Sequence, residues 1–373
     1  MSSRPPAPLP PSWLPLPDAP AFPADGYAPL ADAIGRLIGT ANDVLLVQGE
    51  AMVALEAAAS SLGRPGVRAL NVVTSLYGRW FGGWLRRAGA EVTDLAGAAP
   101  GHPITTDAVA RALEAGRYDL VALVHAESAT GILNPLPGIV ALARAHGALV
   151  VVDAVASLGG HPVEVDALGI DVAVMGPQKA LGGQAGTSAI AVSPAAWDRI
   201  APPGEAPSIL SLADLRTLWL ETGRGALPGT PSALEFHSLA QTLARVEAEG
   251  MAAIRARHGR AAAAARAGAR ALTGAEWVAP GQASNLVTAA ALPEGLSATE
   301  LLTHASGDAL SAGVGPAGER LVRLNHTGPR ARLETVLGDL ATLGEALDAA
   351  GHPAPTGAAL SAAEAAWREA ETA

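Results

Sequence analysis

A run of consecutive apolar residues followed by a stretch of helical spacing is the strongest pattern along the chain, and it recurs. After a helical segment at "GYAPLADAIGRLIG" (26–39), "DVLLVQG" (43–49) reads as a buried strand and "AMVALEAAASSL" (51–62) as a helix. The unit returns as strand "RALNVV" (68–73) with helix "GRWFGGWLRRAG" (78–89), and as strand "EVTDL" (91–95) with helix "TDAVARALEAG" (106–116). Strand "LVALVHA" (120–126), helix "LPGIVALARAHG" (136–147) and strands at 148–154, 171–176 and 187–193 complete the series. Continuous apolar strands alternating with helices predict a parallel sheet covered on both faces. The fold class is therefore α/β, with a mostly parallel seven-stranded sheet in a large domain. Residues 232–272 have helical spacing and lead away from it. The grammar then changes to strand 284–292, helix 297–305, strand 319–325 and helix 331–350, which predicts a smaller C-terminal α+β domain. The expected boundaries are a proline-rich arm over 1–25, the large domain over 26–255, the small domain over 256–350 and a peripheral tail helix over 351–373.

Composition narrows the classes. Hydrophobic residues are 49% of the chain, enough for a large core. A net charge of −10 leaves no cationic stripe for nucleic acid. No cysteine is present, which excludes disulfides and thiolate metal sites, and the nine histidines show no metal-ligand spacing. Prolines interrupt the N-terminal segment, and no run reaches the roughly 18 apolar residues of a membrane span, so a soluble cytoplasmic protein is expected. "RARHGRAAAAARAGAR" (255–270) reads as the solvated face of a helix. His125 reads as a packed, hydrogen-bonded histidine, and Trp80 and Trp84, one turn apart, as a core or dimer contact.

Open parallel sheets bind ligands at the carboxyl ends of their strands. Glu50, Tyr77, Glu127 with Ser128, Asp153 and Lys179 all follow strands at that edge. Lys179, in "GPQKALGG", is the one lysine among 25 Lys and Arg residues. A desolvated lysine loses its proton and attacks carbonyls, whereas a guanidinium stays charged. Asp153, at the end of the preceding strand, is its complement: a buried carboxylate can pair with a protonated pyridine nitrogen and keep that ring an electron sink.

The segments "HAESATGILNP" (125–135), "VVDAVASLGGHPVEVDALGIDVAVMGPQKALGGQAGTS" (151–188), "LPGTPSALE" (227–235) and "VRLNHTG" (322–328) resemble the fold-type I, class V aminotransferases that use pyridoxal 5'-phosphate, in the alanine–glyoxylate and serine–pyruvate branch. The resemblance runs from about residue 20 to 350. It implies a homodimer with the active site at the subunit boundary and small-molecule substrates, with no nucleic acid or membrane partner. Lys179 would be the Schiff-base lysine and Asp153 the partner of the pyridine nitrogen. Val155 and Tyr77 would cover the two ring faces, and Ser128 would hydrogen-bond the ring hydroxyl. Glu50 and Ala51 would stand at the 5' end of the cofactor, with Gln178 and Thr230 as phosphate-type ligands. Arg323 would hold the substrate carboxylate in its planar fork.

Two positions depart from the family pattern. Glu50 stands where relatives place a hydroxyl in the phosphate-binding turn, and Leu227 where they place a phosphate-binding tyrosine. These departures resemble a branch that handles the vitamer without its phosphate. They imply that Glu50 replaces the phosphate and that non-phosphorylated pyridoxamine is a substrate, giving its amine to pyruvate or a related 2-oxo acid and leaving pyridoxal. In that branch a second arginine precedes the strand arginine; Val314 stands at its position here. Three further readings remain open: an ordinary pyridoxal-phosphate aminotransferase, a pyridoxal-phosphate lyase of specialised metabolism, and a non-catalytic protein on the same scaffold.

Overall fold

The computed structural model describes residues 20–307, 309–315 and 317–372. Most of the expected proline-rich arm thus lies outside the described residues. Seven strands form the large sheet: β1 (Asp43–Val47), β2 (Arg68–Val73), β3 (Glu91–Ala96), β4 (Leu120–Val124), β5 (Leu149–Asp153), β6 (Val172–Met175) and β7 (Ser188–Val192). Their order is β1-β7-β6-β5-β4-β2-β3. Neighbours from β3 to β6 are parallel, and β7 is antiparallel to both β6 and β1. Because β7 alone is reversed, β1 runs with β2–β6, and six strands end at one edge. Each strand falls within its expected run, except that β3 extends one residue past it, to Ala96. The central strands β4, β6 and β7 are buried throughout, as continuous apolar sequence between two helical layers requires. Polar positions in "EVTDLA" of β3 suit the outer edge it occupies.

Helix boundaries follow local chemistry. The helix expected from Gly78 starts at Leu76, because Ser75 Oγ accepts the Tyr77 N–H at 3.1 Å and caps it. The long helical stretch is two helices, Ala233–Glu249 and Met251–Thr273, separated at Gly250, whose φ of 81° suits glycine.

The small sheet has the order β8-β10-β9, from β8 (Thr288–Ala291), β9 (Leu310–Ala312) and β10 (Leu321–Leu324), all antiparallel. Strand β9 was not expected from sequence. Its three residues are too few to show a period, and its extended form comes from pairing with Val322–Leu324.

The tail also departs from expectation. Helix Thr356–Thr372 is not peripheral: it packs on Met251–Thr273, with Ala359 and Ala363 fully buried against Ala261, Ala264 and Ala265. Alanine faces let helix axes approach closely, so burial here needs no large apolar side chain. For the same reason 255–270 is not simply a solvated face. Its alanines are buried, while Arg257, Arg260 and Arg270 pair with Glu249, Glu371 and Glu276. One core runs from Tyr27 to Ile254 and a second from Ala261 to Ala363. Trp84 packs on the first core, whereas Trp80 is 41% exposed. Among the described residues no helix is long and apolar enough to cross a membrane.

Candidate active site

Three strand ends build the centre of the carboxyl edge. Asp153 closes β5, and its Oδ1 accepts the Val155 N–H at 2.9 Å. Lys179 follows β6 in a tight turn closed by Gly182 N–H to the Lys179 carbonyl (3.0 Å) and Gly183 N–H to the Pro177 carbonyl (2.8 Å). Gly328 presses on that turn: with φ 58°, a Cβ there would lie 2.9 Å from the Lys179 carbonyl, so only glycine fits. Glu50 follows β1 and is the N-cap of helix Ala51–Leu62. Its Oε2 accepts the Met52 N–H at 2.8 Å and its Oε1 accepts Gln178 Nε2 at 2.7 Å.

A cavity of about 210 Å³ lies over these groups, and seven of the ten expected site residues line it: Glu50, Ala51, Tyr77, Ser128, Asp153, Val155 and Lys179. Met52, Leu55 and Trp80 add apolar wall. The other three stand outside the lining. Gln178 lies behind Glu50; its Oε1 is buried without a partner. Arg323, on β10, is half-buried; its Nε donates to the Ala312 carbonyl (2.9 Å) and its Nη1 to the Ser128 carbonyl (2.8 Å). Thr230 lines a separate cavity of about 380 Å³, with Pro228 and the exposed Ile209. Within one chain, the structure does not bring Thr230 to the Lys179 cavity.

The charges are mutually tuned. Burial lowers the Lys179 pKa and Arg323 lowers it further, against the opposing pull of Glu50 and Asp153. Among the described residues its amine makes no hydrogen bond or ion pair. Burial raises Asp153 to about 6, and Glu50 adds to the rise; the Val155 N–H and Lys179 oppose it. Asp153 is therefore mostly ionised at neutral pH and gains further if a cation meets its Oδ2.

Two features escaped the sequence reading. Glu127 was noted at the edge but given no role; it is fully buried, with its carboxylate accepting from Thr74 Oγ1 at 2.7 Å and from Ser75 Oγ. Burial raises it to about 7 despite both hydroxyls. It braces the turn that starts the Tyr77 helix. A carboxylate three residues past an all-apolar strand was the available signal. His125 is buried as expected but not hydrogen-bonded as expected: its Nδ1 has no partner. Burial, then His161, lowers it to about 3, so the ring is neutral.

A wound sheet that sets one desolvated amine against one buried carboxylate, over a small flat cavity, defines the fold-type I class of amine-transferring enzymes. The aminotransferase class-V family model matches residues 25–313, and the chain belongs to that family: it is a transaminase. Pyridoxamine–pyruvate transaminase of Mesorhizobium japonicum is 33% identical over 344 residues, covering 90% of this chain and 87% of that protein. Alanine–glyoxylate aminotransferase of Callithrix jacchus is 31% identical over 321 residues, covering 84% and 77%. The crystal structure of pyridoxamine–pyruvate aminotransferase from Mesorhizobium loti superposes with a TM-score of 0.86 at 32% identity, covering 93% of this chain and 89% of that one.

Proposed function

We propose that the protein transfers an amino group between non-phosphorylated pyridoxamine and pyruvate or a related 2-oxo acid, giving pyridoxal and an amino acid. One observation carries the reading: the Glu50 carboxylate already occupies the Met52 N–H at the start of helix Ala51–Leu62, where a phosphate would otherwise be received. A phosphate ester carries about −1.5 to −2. Two like unit charges about 4 Å apart repel by about 1 kcal/mol in water and about 4 kcal/mol at an effective dielectric of 20.

The residues fit a flat pyridine ring that bears a hydroxymethyl group. Gln178 gives its N–H to Glu50 and so fixes that carboxylate at the cavity wall. A hydroxyl can donate to the Glu50 carboxylate, and an ionised phosphate cannot. Tyr77 and Val155 form walls for the ring, and Asp153 would hold its nitrogen protonated. When bound, the ring supplies an electron sink for the carbon that gains or loses the amine. Lys179, with its pKa lowered, holds and returns the proton at that carbon. Arg323 keeps Nη2 free of any described partner and would bind the α-carboxylate.

Similarity to alanine–glyoxylate aminotransferase favours a second reading, a resident pyridoxal 5'-phosphate. Absorbance titration separates the two. Pyridoxal should bind more tightly than its phosphate, by between about fivefold and about a thousandfold on the repulsion above. Tighter binding of the phosphate would overturn the proposal. We further read the protein as a homodimer in which a second copy brings Thr230 to the site. The exposed Ile209 and Leu218 beside Thr230 support this, and a monomeric mass in sedimentation would refute it.

A further inference from the structure

A second cleft, of about 390 Å³, opens beside the Lys179 cavity. Arg79 and Arg320 line it, and among the described residues no Asp or Glu does, in a chain whose net charge is −10. Neither guanidinium forms an ion pair or hydrogen bond with a described residue; that of Arg320 lies 5.7 Å from the Trp277 ring centre. Two more lining residues carry orphaned polar atoms: the buried Trp277 Nε1 and Thr130 Oγ1 have no partner among the described residues. The cleft thus presents two exposed cations that are free of described ion pairs, with an N–H donor and a hydroxyl buried in its wall. An anion with several acceptor oxygens can pair with both cations, and a neutral apolar group with neither.

The cleft adjoins the position assigned to the α-carboxylate. Arg323 is anchored on the carbonyls of Ser128 and Ala312. Thr130 and Val314, each two residues beyond an anchor, line the cleft, as does Arg320, three residues before Arg323. On the other side, Ser75 and Leu76 of the cleft lead directly into Tyr77 of the site. A short chain held at Arg323 can therefore extend towards this cleft. Val314 leaves that space open and uncharged, so the cation falls to Arg320 and Arg79.

We infer that this cleft receives the second acid group of a dicarboxylic 2-oxo acid, which makes such an acid the preferred amino acceptor over pyruvate. The inference rests on the transaminase reading above and specifies its co-substrate. Its test does not need turnover. Glutarate has two carboxylates and no oxo group to react, and butyrate has one; their binding to the pyridoxamine-loaded protein is compared by calorimetry. Glutarate should bind at least about tenfold more tightly, since one charge-assisted hydrogen bond corresponds to about 10- to 100-fold. Arg320→Gln and Arg79→Gln should each shrink that ratio, while Arg111→Gln, on helix Thr106–Ala115, should leave it as it is. Equal affinities for the two acids, or a ratio that neither cleft variant moves, would overturn the inference. Turnover is then read separately, with 2-oxoglutarate and oxaloacetate expected to exceed pyruvate in kcat/KM. Selective glutarate binding with no pyridoxamine turnover would sink the vitamer reading and leave the cleft assignment standing.

Discussion

At the scale of the residue, the protein turns on one amine made reactive by its surroundings. Burial is the first cause of the low Lys179 pKa, so the neutral amine predominates at lower pH than in a free lysine. Covalent labelling by pyridoxal, trapped with borohydride, should rise with pH and level off below 10.5, the ordinary lysine value. Lys179→Ala should show no such labelling. A midpoint at or above the ordinary value would contradict the desolvation argument. Glu50→Ser removes the charge from the helix start and leaves a small neutral cap there. The affinity order of pyridoxal and its phosphate should then shift towards the phosphate by about tenfold or more, as read by absorbance titration. Lys179 and Asp153 were legible because a solitary lysine and a carboxylate closing an apolar strand are chemically conspicuous. The Gln178 bond to Glu50 was not, because it joins residues far apart in sequence through a turn whose shape sequence does not give.

At the scale of the element, the helix Leu76–Arg87 is held where it serves the site. Ser75 caps it and also donates to the buried Glu127. Ser75→Ala should cost about 1–2 kcal/mol of stability, at the upper end because Glu127 loses a donor as well. It should also weaken pyridoxal binding, since Tyr77 stands at the released end. Ser297 caps helix Ala298–His304 in the same way, through Glu300 N–H at 3.1 Å, far from the ring. Ser297→Ala should lower the melting temperature without moving the pyridoxal Kd. Equal effects of the two variants on binding would show that the cap, not its position, matters. Strands of the large sheet were readable because both faces are buried and the code is simply continuous apolarity. Strand β9 and the alanine-mediated packing of the tail helix were not. The first draws its form from a neighbour, and the second buries alanine, which sequence patterns weigh as neutral.

At the scale of the molecule, buried titratable groups set the response to acid. His125, His161, His258 and His326 are buried, and burial, the largest cause at each, lowers their pKa values to about 3, 4, 4 and 3. From about pH 6.5 down to 4 they bind protons only when unfolded, so each loses stability as pH falls. Glu127 and Asp153, raised to about 7 and 6, act in the opposite sense: between their ordinary values and these they bind protons only when folded. Four groups against two leave a net loss on acidification. The urea midpoint should therefore fall between pH 6.5 and 4.5, and a flat or rising midpoint would refute this. His258 donates through Nδ1 to the Ile254 carbonyl and accepts the Gly328 N–H at Nε2, so His258→Gln should flatten the slope.

The reversed strand β7 has a consequence for how the chain is made. Asp43 of β1 meets Val192 of β7, and among the described residues β1 pairs with no other strand. During synthesis the apolar segment 43–47 must wait, unpaired, until β7 has left the ribosome, and long-separation pairing of this kind is slow. The nascent protein thus carries a sticky ribbon through about two-fifths of its translation, and Glu50, fixed to the end of that ribbon, waits with it.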